Sequence, residues 1–151
     1  MKPSSSTLPT LSPVLRLADP AQAIAFYIAV FSAAERYRLV DPKSGRIAHA
    51  ELQLGDSVLM LTSGPGETDA APGTTTVPRA QLSLGVTDVD AVTERARRHG
   101  ATILKPPTDQ FYGYRCANLR DPFGAEWMLS QRREELSPSE MQERWNRLSS
   151  Q

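Results

Sequence analysis

His49 and Glu51 are the most chemically loaded pair in this 151-residue sequence. They lie in Arg46–Leu54, where Ala48, Ala50, Leu52 and Leu54 alternate with Ile47, His49, Glu51 and Gln53, the period of a strand with one buried face. Two residues apart on a strand, their Cβ atoms share a face at about 6.5–7 Å. The carboxylate can then hold the imidazole and make it an acid or base near neutral pH. The plain alternative is a polar face wetted by solvent. Arg115, after Tyr112-Gly113-Tyr114, is a candidate donor to an anion or carbonyl from a flexible loop, unless a structural ion pair takes it. Tyr112 and Phe111 can stack on a flat ligand or cap a cavity. Alternation over Ala125–Ser130 puts Glu126, Met128 and Ser130 on one face, adding a second acid and a soft, adaptable thioether. Trp127 then faces the core. Cys116 has no motif of an activated thiol around it and reads as strand packing.

The elements that must position these residues occur twice. Leu15-Arg16-Leu17-Ala18-Asp19 precedes a helical stretch, 20–33, and returns as Leu84-Gly85-Val86-Thr87-Asp88 before another, 89–99. Each Asp stands where an N-cap carboxylate accepts a first-turn N–H, and Pro20 suits the first helical position. Ile24, Tyr27 and Phe31 form the core stripe of the first helix; Val89, Val92 and Ala96 form a weaker one in the second, which stops at His99-Gly100. Each half then has room for two more strands, 35–40 and 46–54 in the first, 102–105 and 114–119 in the second. The halves close alike, on Ser57–Thr62 after a Gly55-Asp56 turn and on Ala125–Ser130 after Asp121-Pro-Phe-Gly124. The fold class is therefore α+β, two βαβββ modules.

Residues 1–9 read as a disordered tail, 10–62 as the first module, 63–79 as a polar Gly/Pro/Thr-rich linker, 80–132 as the second module and 133–151 as a C-terminal helix. Ser137-Pro138-Ser139-Glu140 carries capping-box spacing, with Met141, Trp145 and Leu148 on one face, either docked on its own sheet or at a subunit interface.

Bulk properties exclude several classes. With 17 basic and 17 acidic residues the formal net charge is zero, which argues against nucleic acid or an anionic membrane as partner. No apolar stretch approaches the roughly 20 residues needed to span a bilayer, and the Ser/Pro/Thr-rich start lacks the apolar run of a secretory signal. A single cysteine forms no internal disulfide, which fits a reducing, cytoplasmic setting.

A doubled βαβββ unit resembles the vicinal oxygen chelate superfamily: glyoxalase I, bleomycin-resistance proteins and extradiol dioxygenases. The resemblance runs over about residues 10–132 and is carried by Asp19-Pro-Ala-Gln-Ala-Ile-Ala-Phe-Tyr27, by Arg46-Ile-Ala-His-Ala-Glu-Leu-Gln-Leu-Gly-Asp56, and by Phe111-Tyr-Gly-Tyr-Arg115 through Asp121-Pro-Phe-Gly-Ala-Glu-Trp127. It points to the uncharacterised glyoxalase-like branch. It implies half-barrel sheets around a cleft, a small-molecule ligand and a homodimer. Metal-using members place His, Gln or Glu on the first and last strand of each half. Those places fall here on Ser12, Met60, Gln81 and Met128. Neutral hydroxyl and amide groups with two thioethers are poor donors for zinc, nickel, iron or manganese. A divalent metal is therefore disfavoured, though a register error of one residue would restore it. Arg16 matches the first-strand arginine that binds an anionic substrate group in glyoxalase I. The branch usually shows a histidine where Ala125 stands, so no role rests on it. The expected function is metal-independent binding of an aromatic or bulky metabolite by Ser12, Arg16, Met60, Gln81, Tyr112, Arg115, Glu126 and Met128. The alternatives are a metal-free enzyme using His49 and Glu51, or a metal-dependent lyase, isomerase or dioxygenase.

Overall fold

The computed structural model describes residues 8–64 and 80–151, which fall into two compact units, one on each side of the gap. Within the first, β1 (Val14–Leu17), α1 (Pro20–Phe31), β2 (Ala34–Val40), β3 (Ile47–Leu54) and β4 (Ser57–Ser63) follow in order. The second repeats this with β5 (Gln81–Gly85), α2 (Val89–Arg98), β6 (Thr102–Asp109), β7 (Tyr114–Arg120) and β8 (Glu126–Arg132), and adds α3 (Pro138–Ser149). Each unit has one mixed four-stranded sheet, ordered β1-β4-β3-β2 and β5-β8-β7-β6. The edge strand opening each unit runs parallel to its closing strand; the other pairs are antiparallel. This is the doubled βαβββ architecture read from the repeat. The expected linker lies almost wholly outside the described residues; its first residue, Ser63, ends β4.

Capping and burial explain the helices. The Asp19 carboxylate accepts from Ala21 N at 3.1 Å and that of Asp88 from Ala91 N at 3.0 Å, each satisfying a first-turn donor that the helix itself leaves unpaired. Helix α1 buries Ile24, Tyr27 and Phe31 as anticipated, and Phe26 and Val30 besides. Helix α2 buries Val89, Val92, Thr93 and Ala96 and ends in Arg95, Arg97 and Arg98, cations that complement the C-terminal end of its dipole. Each helix packs on one sheet face through Ala50, Leu52, Leu59 and Leu61 in the first unit, and through Ala117, Leu119, Trp127 and Leu129 in the second. Removing one of these leucines to Ala should destabilise its unit by about 2–5 kcal/mol.

Strand β6 differs from expectation. The sequence places it at 102–105, yet the strand runs on through Pro106-Pro107 to Asp109, with breaks in register on both sides of Lys105. Proline is tolerated there because β6 is an edge strand, where a missing N–H removes no ladder bond. No helix among the described residues is long and apolar enough to cross a membrane.

Candidate functional site

With one sheet face taken by the helix, the residues that can meet a ligand are those on the opposite face. Register places them in straight cross-strand rows. In the first unit one row runs Val14–Met60–Glu51–Tyr37 and the next Arg16–Thr62–His49–Leu39. In the second the corresponding rows are Ser83–Met128–Asn118–Lys105 and Gly85–Ser130–Cys116–Thr108. Met60 and Met128 occupy equivalent central places, as the repeat anticipates. Arg16 has Gly85 as its counterpart.

The first face is built around Glu51, which is 6 % exposed. Its carboxylate does not orient His49. Tyr37 donates its hydroxyl to Oε1 at 2.9 Å, and the Arg36 guanidinium lies 3.3 Å from Oε2. A register shift between Glu35 and Tyr37 sets Arg36 and Tyr37 together against Glu51, the work of an extra residue in one strand of an antiparallel pair. His49 instead has Nδ1 3.4 Å from Thr62 Oγ1, with the ring of Tyr37 at 6.0 Å. The expected His49/Glu51 acid–base couple is therefore corrected: a carboxylate engaged by a tyrosine and an arginine has little left for an imidazole. The hydrogen bond to Glu51 also holds the Tyr37 phenol above its ordinary pKa. Arg16 stands exposed in the adjacent row, and the buried Ser12 hydroxyl has no hydrogen-bond partner among the described residues.

In the second unit Arg115 is the other correction. It lies on β7, and alternation with Cys116 turns it to the helix side. There its guanidinium grips the Asp90 carboxylate through two hydrogen bonds, 2.8 and 2.9 Å, and reaches Asp109 at 3.3 Å. Those carboxylates raise the Arg115 pKa, and the Arg115 guanidinium in turn lowers that of Asp90. This is the structural ion pair that the sequence left open. Glu126 opposes Gln81 on the ligand-accessible face and pairs with Arg120 at 3.1 Å. Trp127 is buried and donates to Asp121 Oδ2 at 2.9 Å, so it is core as expected.

What remains on this face is a hollow of about 360 Å³ lined by Lys105, Pro106, Thr108, Gln110, Tyr112, Cys116, Asn118 and Met128. Tyr112 reaches it from the 110–113 turn, which is fixed by Gly113 at φ +90°. The Gly113 carbonyl accepts from Arg133 N at 2.8 Å and Glu134 N at 3.0 Å. The Tyr112 hydroxyl lies 3.4 Å from Cys116 Sγ, and burial with that contact pushes its pKa up to about 12, so it stays a neutral donor. Cys116 was anticipated as packing; it is buried, yet it also floors the hollow beside Ser130, 3.7 Å away. Phe111 sits between Tyr112 and Trp145 of α3, its ring edge-on to Tyr112 at 5.2 Å and 5.5 Å from Trp145 between centroids, and Arg144 clamps Glu134 with two 2.9 Å bonds. Helix α3 is thus tethered to its own unit, with Trp145 and Leu148 still half exposed. A second hollow, about 350 Å³ at one end of the first sheet, is lined by none of the candidate site residues.

The fold family implies a dication, so the donor set matters. Around Ser12 and Met60 the carboxylate in reach on the face, Glu51, is held by Arg36 and Tyr37. Around Gln81 and Met128 the carboxylate is Glu126, held by Arg120. Among the described residues no three His, Cys, Asp or Glu side chains gather into a metal-holding group. Hydroxyl, amide and two thioethers do not fit a hard or borderline dication.

Known proteins agree with the architecture. The family model of the glyoxalase/bleomycin resistance protein/dioxygenase superfamily matches residues 10–129. An uncharacterised protein of Mycobacterium tuberculosis strain H37Rv is 38 % identical over 141 residues, covering 89 % of this chain and 81 % of its own. Among solved structures, TioX of a Micromonospora species is 29 % identical with a TM-score of 0.63, over 81 % of this chain and 97 % of that one. A glyoxalase/bleomycin resistance protein/dioxygenase family enzyme of Burkholderia phytofirmans has a TM-score of 0.63 at 22 % identity, over 80 % and 95 % of the two chains. The chain belongs to the glyoxalase/bleomycin resistance protein/dioxygenase superfamily.

Proposed function

We propose that this protein binds a small aromatic or otherwise bulky metabolite without a metal ion, and that the hollow of the second unit receives it. The observation that carries this reading is the lining: a Met128 thioether floor, the Tyr112 ring and Pro106 offer an apolar platform, and Lys105, Thr108, Gln110 and Asn118 set directional polar groups around it. Its volume is at the small end of ordinary ligand sites. The ligand positions of metal-using relatives hold donors unsuited to a dication, so recognition rests on packing and hydrogen bonds. The engagement of Glu51 by Tyr37 and Arg36 weakens the case for a His49 base, so binding rather than turnover is the reading advanced. The implied homodimer is carried with it; elution at twice the 16.6 kDa of one chain supports it, and elution at one chain refutes it.

The test uses the full chain dialysed against chelator, titrated calorimetrically with neutral ring amides of one, two and three rings (benzamide, naphthalene-2-carboxamide, anthracene-2-carboxamide). At least one should bind, with affinity falling roughly tenfold, about 1.4 kcal/mol, in Met128→Ala. Binding that appears only when a dication is added back, or that ignores Met128→Ala, overturns the reading.

A further inference from the structure

We infer that the ligand of this hollow is a monoanion, an aromatic or bulky carboxylate whose charged group meets Lys105 and Asn118 while its ring lies on Met128. This rests on the binding reading above and specifies its chemistry.

One row carries the argument. Lys105, Asn118 and Met128 are direct register partners on three adjacent strands, and all three line the hollow. Neighbouring strands lie about 4.8 Å apart, so the ammonium-bearing and thioether-bearing residues start roughly 10 Å apart, with the amide midway. A cation, an amide donor and an apolar floor therefore follow one another across the hollow over the length of a small ring acid. The breaks in register on both sides of Lys105 set it apart from regular pairing, as local irregularities that re-aim side chains do.

Lys105 and Asn118 are also uncommitted. Six arginines of this unit, from Arg97 to Arg144, sit in ion pairs with carboxylates. The Lys105 ammonium has no such partner among the described residues, and the Asn118 amide has no hydrogen bond there. No Asp or Glu stands among the residues lining the hollow. Tyr112, kept protonated, adds a donor and no charge. Every ionic preference of the site thus favours an anion.

The first unit supplies an internal contrast. In its equivalent row Glu51 replaces Asn118 and Tyr37 replaces Lys105, and there the polar groups satisfy one another through the 2.9 Å Tyr37–Glu51 bond. The same scaffold closes its polar row in one unit and leaves it open in the other, with positive charge. Lys105 is exposed and Asn118 half-buried, so both donors are free to exchange water for the carboxylate of a ligand.

Matched probes test this on the full chain: naphthalene-2-carboxylate and naphthalene-2-carboxamide, equal in ring and differing in charge. The carboxylate should bind at least tenfold more tightly at low salt, with the gap narrowing as salt rises. Lys105→Gln should abolish the gap by bringing the carboxylate down to the affinity of the carboxamide, and Asn118→Ala should weaken the carboxylate. Equal binding of the two probes to the wild type, or a gap that survives Lys105→Gln, overturns the anion assignment while Met128-dependent carboxamide binding keeps the parent reading. If neither naphthalene probe binds, the anion assignment falls, and the parent reading falls with it when benzamide and anthracene-2-carboxamide also fail to bind.

Discussion

Tyr37 donates its hydroxyl to Glu51 at 2.9 Å, across two strands, while His49, two residues before Glu51 on the same face, turns to Thr62. The pair couples a half-exposed phenol to a buried carboxylate that also faces Arg36. Removing the carboxylate takes a counter-charge from the mostly buried Arg36 guanidinium and an acceptor from Tyr37. Glu51→Ala should therefore destabilise the first unit by about 3 kcal/mol, read as a lower denaturant midpoint. A loss below about 1 kcal/mol would show that the contact is solvated.

The same contact has a pH signature. The folded Tyr37 pKa is raised, chiefly by its hydrogen bond to Glu51. The stability it contributes is therefore complete below the unfolded phenol pKa and is lost as pH rises through the higher folded value. Tyr37→Phe should flatten the alkaline limb of the stability curve; an unchanged limb in that variant would refute the linkage.

Tyr112 should titrate late. With its pKa pushed up to about 12, Tyr112 should contribute a late step to an ultraviolet phenolate titration, and Tyr112→Phe should delete that step. Cys116→Ala should bring the step to lower pH, because the thiol contributes to the shift.

Gly113 holds the turn that presents Tyr112. Its φ is +90°, and a Cβ there would sit 2.8 Å from the Glu134 backbone oxygen. Gly113→Ala should destabilise the second unit by about 1–3 kcal/mol and weaken ligand binding as Tyr112 shifts. Unchanged stability and affinity would show that the turn relaxes freely.

Arg115, on the helix side, should be silent in binding. Arg115→Gln should leave affinity for the ring amides unchanged and raise the pH of acid unfolding. The Asp90 pKa is lowered mainly by its bonds to Arg115, so that stability is present above the unfolded carboxylate pKa and is lost as pH falls through the folded one. A binding defect in this variant would restore Arg115 to the site.

Much of this was legible in the chain. The repeat of Leu15–Asp19 as Leu84–Asp88, the Asp caps and the alternation in β3 and β8 determined the element order, the helix stripes and which residues share a face, except at the start of β3, where a register shift accompanies a buried Ile47 and an exposed Ala48. These are local quantities, set by capping chemistry and side-chain period. Met128, Asn118 and Cys116 follow from alternation once the strands are placed. Partner choice was not legible. Whether Glu51 serves His49, or Tyr37 and Arg36, depends on an extra residue in β2, and such an irregularity appears only when two strands pair. Whether Arg115 meets a ligand or Asp90 depends on the seating of α2 on its sheet. Lys105 went unnoticed because the double proline after it reads locally as a break, whereas the sheet edge accepts it. Sequence alone determined the periodicities; tertiary pairing decided which charges are spent on one another and which remain for a ligand, because that depends on distances between residues far apart in the chain.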